Sequence, residues 1–297
     1  MSHIGVVGSV NLDVVATCAR LPRPGETVTG ATIARHPGGK GANQALAARR
    51  LGAATSLIAR VGKDAYAEEA MTLLRASGVD LSRAWRDPSE PTGLALIAVD
   101  ENGENQIVVA PGANARLRPA DVNVAGLDAV ICQFEIPTET VEAAAEQCTG
   151  LFCLNAAPAR HLSGPLRRRP DLIVVNEVEH AELESDLTGF EGLVAVTTGA
   201  SGAALFRRGR LVARATPPRV TVVDTVGAGD SFVAALVVSM LEGRSAQDSL
   251  TRACAAGALA TTRPGAQPSL PTADELDHLL GGTLVGDDRV SPTESLS

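Results

Sequence analysis

The chain has 297 residues, 45% of them hydrophobic, which is core enough for one large domain. Its formal net charge of −8 leaves no global basic field to hold nucleic acid. With one Trp, one Tyr and five Phe it lacks stacking platforms for single strands, and its core must be built from Ala, Val and Leu.

Residues 4–8, I-G-V-V-G, form a short apolar run that reads as a buried strand. Runs of the same kind follow at 54–61, 129–132, 151–155, 172–176 and 193–197. Helical patterns separate most of them, at 42–51, 65–77, 138–148 and 177–187, and a further apolar run at 232–241 reads as a buried helix. Buried strands alternating with helices imply an α/β fold of three layers, a parallel sheet flanked by helices. Ligands in such sheets sit beyond the carboxyl ends of the strands, and Asn11, Asp13, Glu135, Asn155 and Asn176 all fall just after strand-like runs.

Two segments break this pattern. Residues 14–36 carry V-V-A-T-C and T-V-T-G-A-T-I, and residues 92–110 carry T-G-L-A-L-I-A-V and E-N-Q-I-V-V-A around the turn signal D-E-N-G. They read as a small β appendage, a lid drawn from about 12–37 and 91–111 on a single domain spanning 1–280. A lid excludes water and suppresses wasteful hydrolysis in phosphoryl transfer. Residues 281–297 are rich in Gly, Ser, Thr and Asp and read as a disordered tail.

Cysteines at 18, 132, 148, 153 and 254 form no C-x-x-C pair, so they read as buried thiols in a reducing compartment. The first residues lack a basic n-region, and no apolar run approaches the roughly 18 residues of a membrane span, so a cytoplasmic protein without a membrane partner is expected. The arginine clusters at 167–169 and 207–208 read as solvated surface.

The most informative segment is D-T-V-G-A-G-D-S-F, 224–232. Gly227, Ala228 and Gly229 would sit at a helix N-terminus, where free N–H groups and the dipole favour an anion, and Asp230 would stand beside it in the first turn. A carboxylate so placed can accept a proton from a hydroxyl attacking a phosphoryl group, though an acid in a first turn is also an ordinary helix start. P-G-G-K-G-A-N-Q, 37–44, permits close approach of a ligand to backbone, or is a plain loop before a helix. It is not a P-loop, since no G-x-x-x-x-G-K-[ST] is present. Asn11 and Asp13, two apart on a strand, share a face suited to adjacent sugar hydroxyls, or serve a turn. Asn176 and Glu179 have capping-box spacing, with orientation of hydrated Mg²⁺ and phosphate as the functional alternative. T-T-G-A-S-G, 197–202, is either a nucleotide-contacting loop or a β-turn. The loop 260–269 offers carbonyls and hydroxyls to a hard cation.

Together these segments resemble the ribokinase-like carbohydrate kinase family. The carrying residues are N-L-D at 11–13, P-G-E-T-V-T-G at 24–30, G-G-K-G-A-N-Q-A at 38–45, P-G-A-N-A at 111–115 and Q-F-E at 133–135. N-A-A-P-A-R at 155–160, N-E-V-E at 176–179, the segment at 224–232 and R-P-G-A-Q-P-S at 263–269 complete the set, in family order over about 4–280. The resemblance implies that Asn11, Leu12, Asp13, Gly39, Lys40, Gly41, Ala42, Asn43 and Glu135 form the sugar site. It implies Asp230 as base and Gly227, Ala228 and Gly229 as the anion hole for the γ-phosphate. ATP would be bound by Asn176, Thr197, Thr198, Gly199, Ala200, Ser201 and Gly202, with Cys254 where a His or Asn is common and Glu179 near Mg²⁺. Asp224, with Val226, Ala260, Arg263, Gly265 and Ser269, matches a monovalent-cation (K⁺) site behind the anion hole. The implied reaction is ATP-dependent phosphorylation of a sugar, D-ribose at its 5-hydroxyl before 2-deoxyribose, fructose or a nucleoside, by a dimer joined through the lid. Only 21 positions separate Asn176 from Thr197, shorter than the family pattern, so an element beside the nucleotide site is expected to be trimmed. A silent binding protein on the same fold is disfavoured by the intact Gly-Ala-Gly-Asp. A dinucleotide-dependent oxidoreductase is disfavoured because no G-x-G-x-x-G follows the first strand.

Overall fold

The computed structural model of the chain describes residues 2–284. Strand β1 (His3–Val7) opens the chain, followed by β2 (Asn11–Thr17), β3 (Thr32–Gly38), helix α1 (Lys40–Arg50) and β4 (Ala54–Gly62). Next come α2 (Ala65–Ala70), α3 (Thr72–Ala76), β5 (Ala84–Asp87), β6 (Gly93–Val99) and β7 (Asn105–Ala110). The middle holds β8 (Ala129–Gln133), α4 (Thr138–Gln147), β9 (Leu151–Asn155), β10 (Leu172–Asn176), α5 (Glu177–Glu182), α6 (Glu184–Leu187) and β11 (Leu193–Thr197). The last third is β12 (Ala203–Arg207), β13 (Arg210–Ala215), α7 (Ala228–Leu241), α8 (Ala246–Ala260), α9 (Ala266–Ser269) and α10 (Ala273–Leu284).

The large sheet has nine strands in the order β13-β12-β11-β10-β9-β8-β1-β4-β5. From β5 to β11 all neighbours are parallel, whereas β12 pairs antiparallel with both β11 and β13. The strands from β5 to β11 form the expected parallel sheet, and the whole is mixed because a short turn over residues 198–202 replaces a crossover helix and reverses the chain at the β12–β13 edge. Alternate residues of the parallel strands feed two cores. Ile4, Val6, Ala129, Ile131 and Cys153 face α1, α7 and α8, while Val7, Val130, Cys132, Phe152 and Leu154 face α4. Burial on both faces is why these strands are continuous apolar runs.

The small sheet has the order β3-β2-β6-β7. Residues 27–31, read as strand, carry no strand structure, because Gly30 adopts φ 82° and breaks the extended backbone. Two expected helices are each split into short pieces, at Met71 and at Leu183, whose backbones leave helical geometry near φ −100°. Of the expected tail, residues 281–284 continue α10, and the remainder lies outside the described residues. Among the described residues no helix is long and apolar enough to cross a membrane.

Candidate active site

A cleft of about 450 Å³ opens at the carboxyl ends of the parallel strands, between the large sheet and the inner face of the small one. Asn11, Asp13, Gly39, Lys40, Asn43 and Glu135 line one part of it, and Gly227, Gly229 and Asp230 another. Asn155, Asn176, Glu179 and Thr197 close it along the strand ends, and Ala95, Ile97, Ile107 and Val109 of the small sheet cover it.

The approach of α1 to the first strand crossing builds this cleft. The Ala42 N–H donates to the Ser9 carbonyl at 2.8 Å. A Cβ on Gly41 would stand 2.5 Å from the Gly8 carbonyl carbon and the Ser9 nitrogen, so only glycine allows the contact. The first turn of α1 then directs Asn43 and Gln44 at Asp230. Asn43 Nδ2 donates to Asp230 Oδ2 and Gln44 Nε2 to Asp230 Oδ1, each at 2.9 Å.

Asp230 lies in the first turn of α7, only 7% exposed. The N-cap is Gly227 in left-handed geometry, φ 83°, and no side chain caps the N-terminal N–H groups; that of Ala228 is taken by the Thr225 carbonyl at 3.3 Å, which departs from its expected place in the anion hole, while Gly227 and Gly229 line the cleft. Burial raises the Asp230 pKa; Lys40 and the two amides hold it down, and Glu135 pushes it up again. Burial works against the Lys40 ammonium, but Asp230, Glu135 and Glu179 more than offset it and its pKa is raised. The Asp13 carboxyl is pushed up to about 7 by burial and by the charges of Glu135 and Asp230. Asp230, Glu135 and Glu179 thus share Lys40 at the mouth of a helix N-terminus, with Asp13 beside Glu135 and Asp230. Glu135 is further held by the Ser9 hydroxyl at 2.5 Å and the Lys40 N–H at 3.0 Å.

The remaining expected residues are placed as follows. Leu12 is fully buried with its side chain in the core, so only its backbone reaches the rim. Asn176 and Glu179 form a reciprocal capping box, with both bonds at 2.8 Å, and both also line the cleft. Glu179 is half-buried, and burial raises its pKa against the pull of the Asn176 N–H and Lys40. In the 197–202 loop, Thr197 reaches the cleft, while Thr198, Gly199, Ala200, Ser201 and Gly202 close a tight turn beside it through the Thr198 N–H and hydroxyl on the Gly202 carbonyl. Cys254 is buried on α8 with Sγ 3.7 Å from the Ala215 carbonyl, turned to β13 and away from the cleft lining.

Behind α7 the two loops of the expected cation site meet. Asp224 accepts the Val226 N–H at 3.0 Å and the Gly265 N–H at 2.8 Å, and the Val223 and Asp224 N–H groups donate to the Thr261 carbonyl. Ala260 ends α8, Arg263 lies in the loop after it and Ser269 ends α9; the Arg263 side chain pairs with Glu275, and the Ser269 hydroxyl donates to the Ala266 carbonyl at 2.8 Å. Among the described residues no three His, Cys, Asp or Glu side chains gather as a metal cluster, so a cation here would rely on one carboxylate, carbonyls and a hydroxyl. That all-oxygen donor set fits a hard cation. A single half-buried carboxylate at Glu179 fits Mg²⁺, which keeps most of its waters and takes phosphate oxygens.

Sequence reasoning assigned no role to Gln44, Gln133, Asn114 or Ser9. All are almost fully buried polar residues, each bonded to another polar group, a pairing that no local sequence spacing marks. Asn114 accepts the Val10 N–H at 2.9 Å and donates to Asn11 Oδ1 at 2.7 Å.

A buried carboxylate in the first turn of a glycine-capped helix, at the rim of a helix-covered sheet and beneath a second sheet, is the arrangement of a small-molecule kinase. Comparison with known proteins agrees. Residues 1–273 match the pfkB family carbohydrate kinase. The chain is 36% identical to the ribokinase of Bacillus subtilis over 294 residues, covering 94% of this chain and 100% of that protein. The crystal structure of ribokinase from Thermotoga maritima superposes with a TM-score of 0.87 at 30% identity, covering 95% of this chain and 100% of that one. The structure of Arabidopsis thaliana ribokinase complexed with ribose and ATP gives a TM-score of 0.84 at 30% identity, covering 94% and 99%. The chain belongs to the pfkB family of carbohydrate kinases.

Proposed function

We propose that the chain transfers the γ-phosphoryl group of ATP to the 5-hydroxyl of D-ribose. The observation that carries this is the Asp230 carboxylate, buried, held by two amides and placed in the first turn of a helix whose N-terminus has no side-chain cap. Its neighbours in the cleft are groups that bind vicinal hydroxyls: Asn11, Asp13, Asn43, Glu135 and the backbone around Gly39, Lys40 and Gly41. Asn43 Oδ1 is buried with no partner in the protein, which suits it to accept a hydroxyl proton.

The reaction follows from these positions. The sugar lies across Asn11 and Asp13, with its primary hydroxyl toward Asp230. Asp230 takes the hydroxyl proton as the oxygen attacks the γ-phosphorus in line, and the N–H groups at Gly227 and Gly229 receive the charge on the phosphoryl oxygens, joined by that of Ala228 if it exchanges the Thr225 carbonyl for phosphate. Lys40 adds a positive charge on the same side. Asn176, Glu179, Thr197 and the 198–202 turn flank the remainder of ATP, and Cys254, facing the protein, serves only to shape that side. Mg²⁺ near Glu179 would neutralise phosphate charge, and K⁺ at the Asp224 loop would polarise the backbone that forms the anion hole.

The outer face of the small sheet exposes Ile33, Leu96 and Val108 by about half or more of their surface, which supports a homodimer joined through this lid. Five free, buried cysteines support a reducing, cytoplasmic setting.

An ADP-release assay across a panel of ribose, 2-deoxyribose, fructose and adenosine tests the substrate. Ribose should give the highest kcat/KM. A tenfold preference for another acceptor would replace ribose while leaving the kinase class intact.

A further inference from the structure

A chain of carboxamides lies between Asp230 and the sheet, and none of the roles above uses it. Gln44 Nε2 spends one proton on Asp230 Oδ1 at 2.9 Å and the other on Asn155 Oδ1 at 3.0 Å. Its Oε1 accepts from Gln133 Nε2 at 2.5 Å. Asn155 Nδ2 in turn donates to the Val174 carbonyl at 3.2 Å, which fixes the end that Asn155 shows to Gln44. Both ends of the Gln44 amide are therefore engaged, and its orientation is set from three sides.

Gln133 and Asn155 are register partners at the ends of β8 and β9, so the sheet itself spaces the two side chains. Gln44 and Gln133 are fully buried. The fit around Gln133 is tight, since a Cβ on Gly8 would stand 2.2 Å from its Oε1. Burying polar groups is costly, and Gln133 Oε1 lacks any partner in the protein. Apolar residues would fill this space at lower cost, so the amides are better explained by what they do to Asp230.

We propose that Gln44, its amide oriented by Gln133, is a positioning residue for phosphoryl transfer: it fixes the edge that the Asp230 carboxylate turns to the attacking hydroxyl and keeps that carboxylate a proton acceptor. The proposal rests on Asp230 being the base. The charged groups facing Asp230 are Lys40 from α1, Glu135 after β8 and Asp13 from β2, one cation against two acids. In that balance a donated hydrogen bond from a neutral amide decides which form prevails. Gln133 controls the donor's direction. Replacing Gln133 with Glu removes its Nε2 donor and supplies an acceptor, so the Gln44 NH₂ turns to the new carboxylate and its carbonyl faces Asp230.

The test is steady-state kinetics with ribose and ATP across pH for the full chain and for Gln44→Met, Gln133→Glu, Gln133→Met and Asp230→Asn, with thermal unfolding of each. Gln44→Met should lower kcat about tenfold and move the acid limb of kcat up by about one pH unit, the loss of one charge-assisted bond. The ribose KM should stay within about twofold, because Gln44 touches no hydroxyl-binding group of the sugar site other than Asp230. Gln133→Glu should move the limb the same way although residue 133 touches neither Asp230 nor the cleft, and Gln133→Met should move it less. Should Gln133→Glu fail to fold, the Gln44→Met and Gln133→Met pair still decides. Variants that melt lower yet keep the wild-type acid limb and kcat would reduce the amides to packing and overturn the proposal. If Asp230→Asn itself turns over normally, the base assignment fails instead, so the two failures are distinct.

Discussion

Asn114 donates through Nδ2 to Asn11 Oδ1 at 2.7 Å, joining residues 103 positions apart. The same Asn114 accepts the Val10 N–H and donates to the Val10 carbonyl at 3.1 Å, so it grips the backbone that carries Asn11. Asn11 lines the cleft, and with its Oδ1 engaged its amide NH₂ is the group that would donate to a sugar hydroxyl under the proposed function. Asn114→Ala should raise the sugar KM about tenfold, since releasing Asn11 forfeits one oriented hydrogen bond, while kcat falls less. Substrate saturation curves check this; an unchanged KM would mean that Asn11 needs no anchor.

A second expectation concerns pH. The Asp13 carboxyl is pushed up to about 7, chiefly by burial, so it gains its charge only as pH rises through 7. Sugar KM should therefore fall between pH 6 and 8, and Asp13→Asn should flatten that dependence as well as weaken binding. The stability consequence has the opposite sign. The folded chain holds this proton more tightly than the unfolded chain, so its stability declines as pH rises from about 4 to 7. Asp13→Asn should raise Tm at pH 8 more than at pH 5, and differential scanning calorimetry at the two pH values would show it. An equal gain at both would mean that the carboxylate carries no such penalty.

Gly41→Ala tests the contact that seats α1. The added methyl meets backbone of Gly8 and Ser9 at 2.5 Å, and backbone cannot swing aside as a flexible side chain can. A loss of about 2 kcal/mol in urea unfolding is expected from overpacking. Activity should fall further than stability, because the displaced helix carries both amides that hold Asp230. Wild-type kcat in a folded variant would show the helix free to shift without cost.

Activity should rise with added potassium, and Asp224→Ala should abolish that response. The readout is the dependence on potassium concentration rather than the absolute rate, because Asp224 also ties Val226 to Gly265 and its loss loosens the loop in any case. A variant still activated by potassium would place the cation elsewhere.

Much of the fold was legible because the sheet is buried on both faces. Strands at 151–155, 172–176 and 193–197 have the bounds that their apolar runs suggest. The β12–β13 hairpin was harder to see, since Arg207, Arg208, Arg210 and Arg214 interrupt it and one of its faces is exposed. Asn11, Asp13, Glu135, Asn155 and Asn176 could be grouped on one rim from strand ends alone, and the cleft gathers all five. The supporting amides could not, because Gln44 meets Gln133 across 89 positions and Asp230 across 186, and no local spacing encodes such a pairing. The capping box at Asn176 and Glu179 shows the converse: two bonds at 2.8 Å give those residues a local purpose, and their place in the cleft allows a second.

The most direct measurement is kcat and sugar KM for Asp230→Asn. The change keeps the shape of the side chain while removing its ability to take a proton, so kcat should fall by about 10² to 10⁴ with little change in KM. Turnover within a few-fold of wild type would contradict the assignment of Asp230 as the group that activates the sugar hydroxyl.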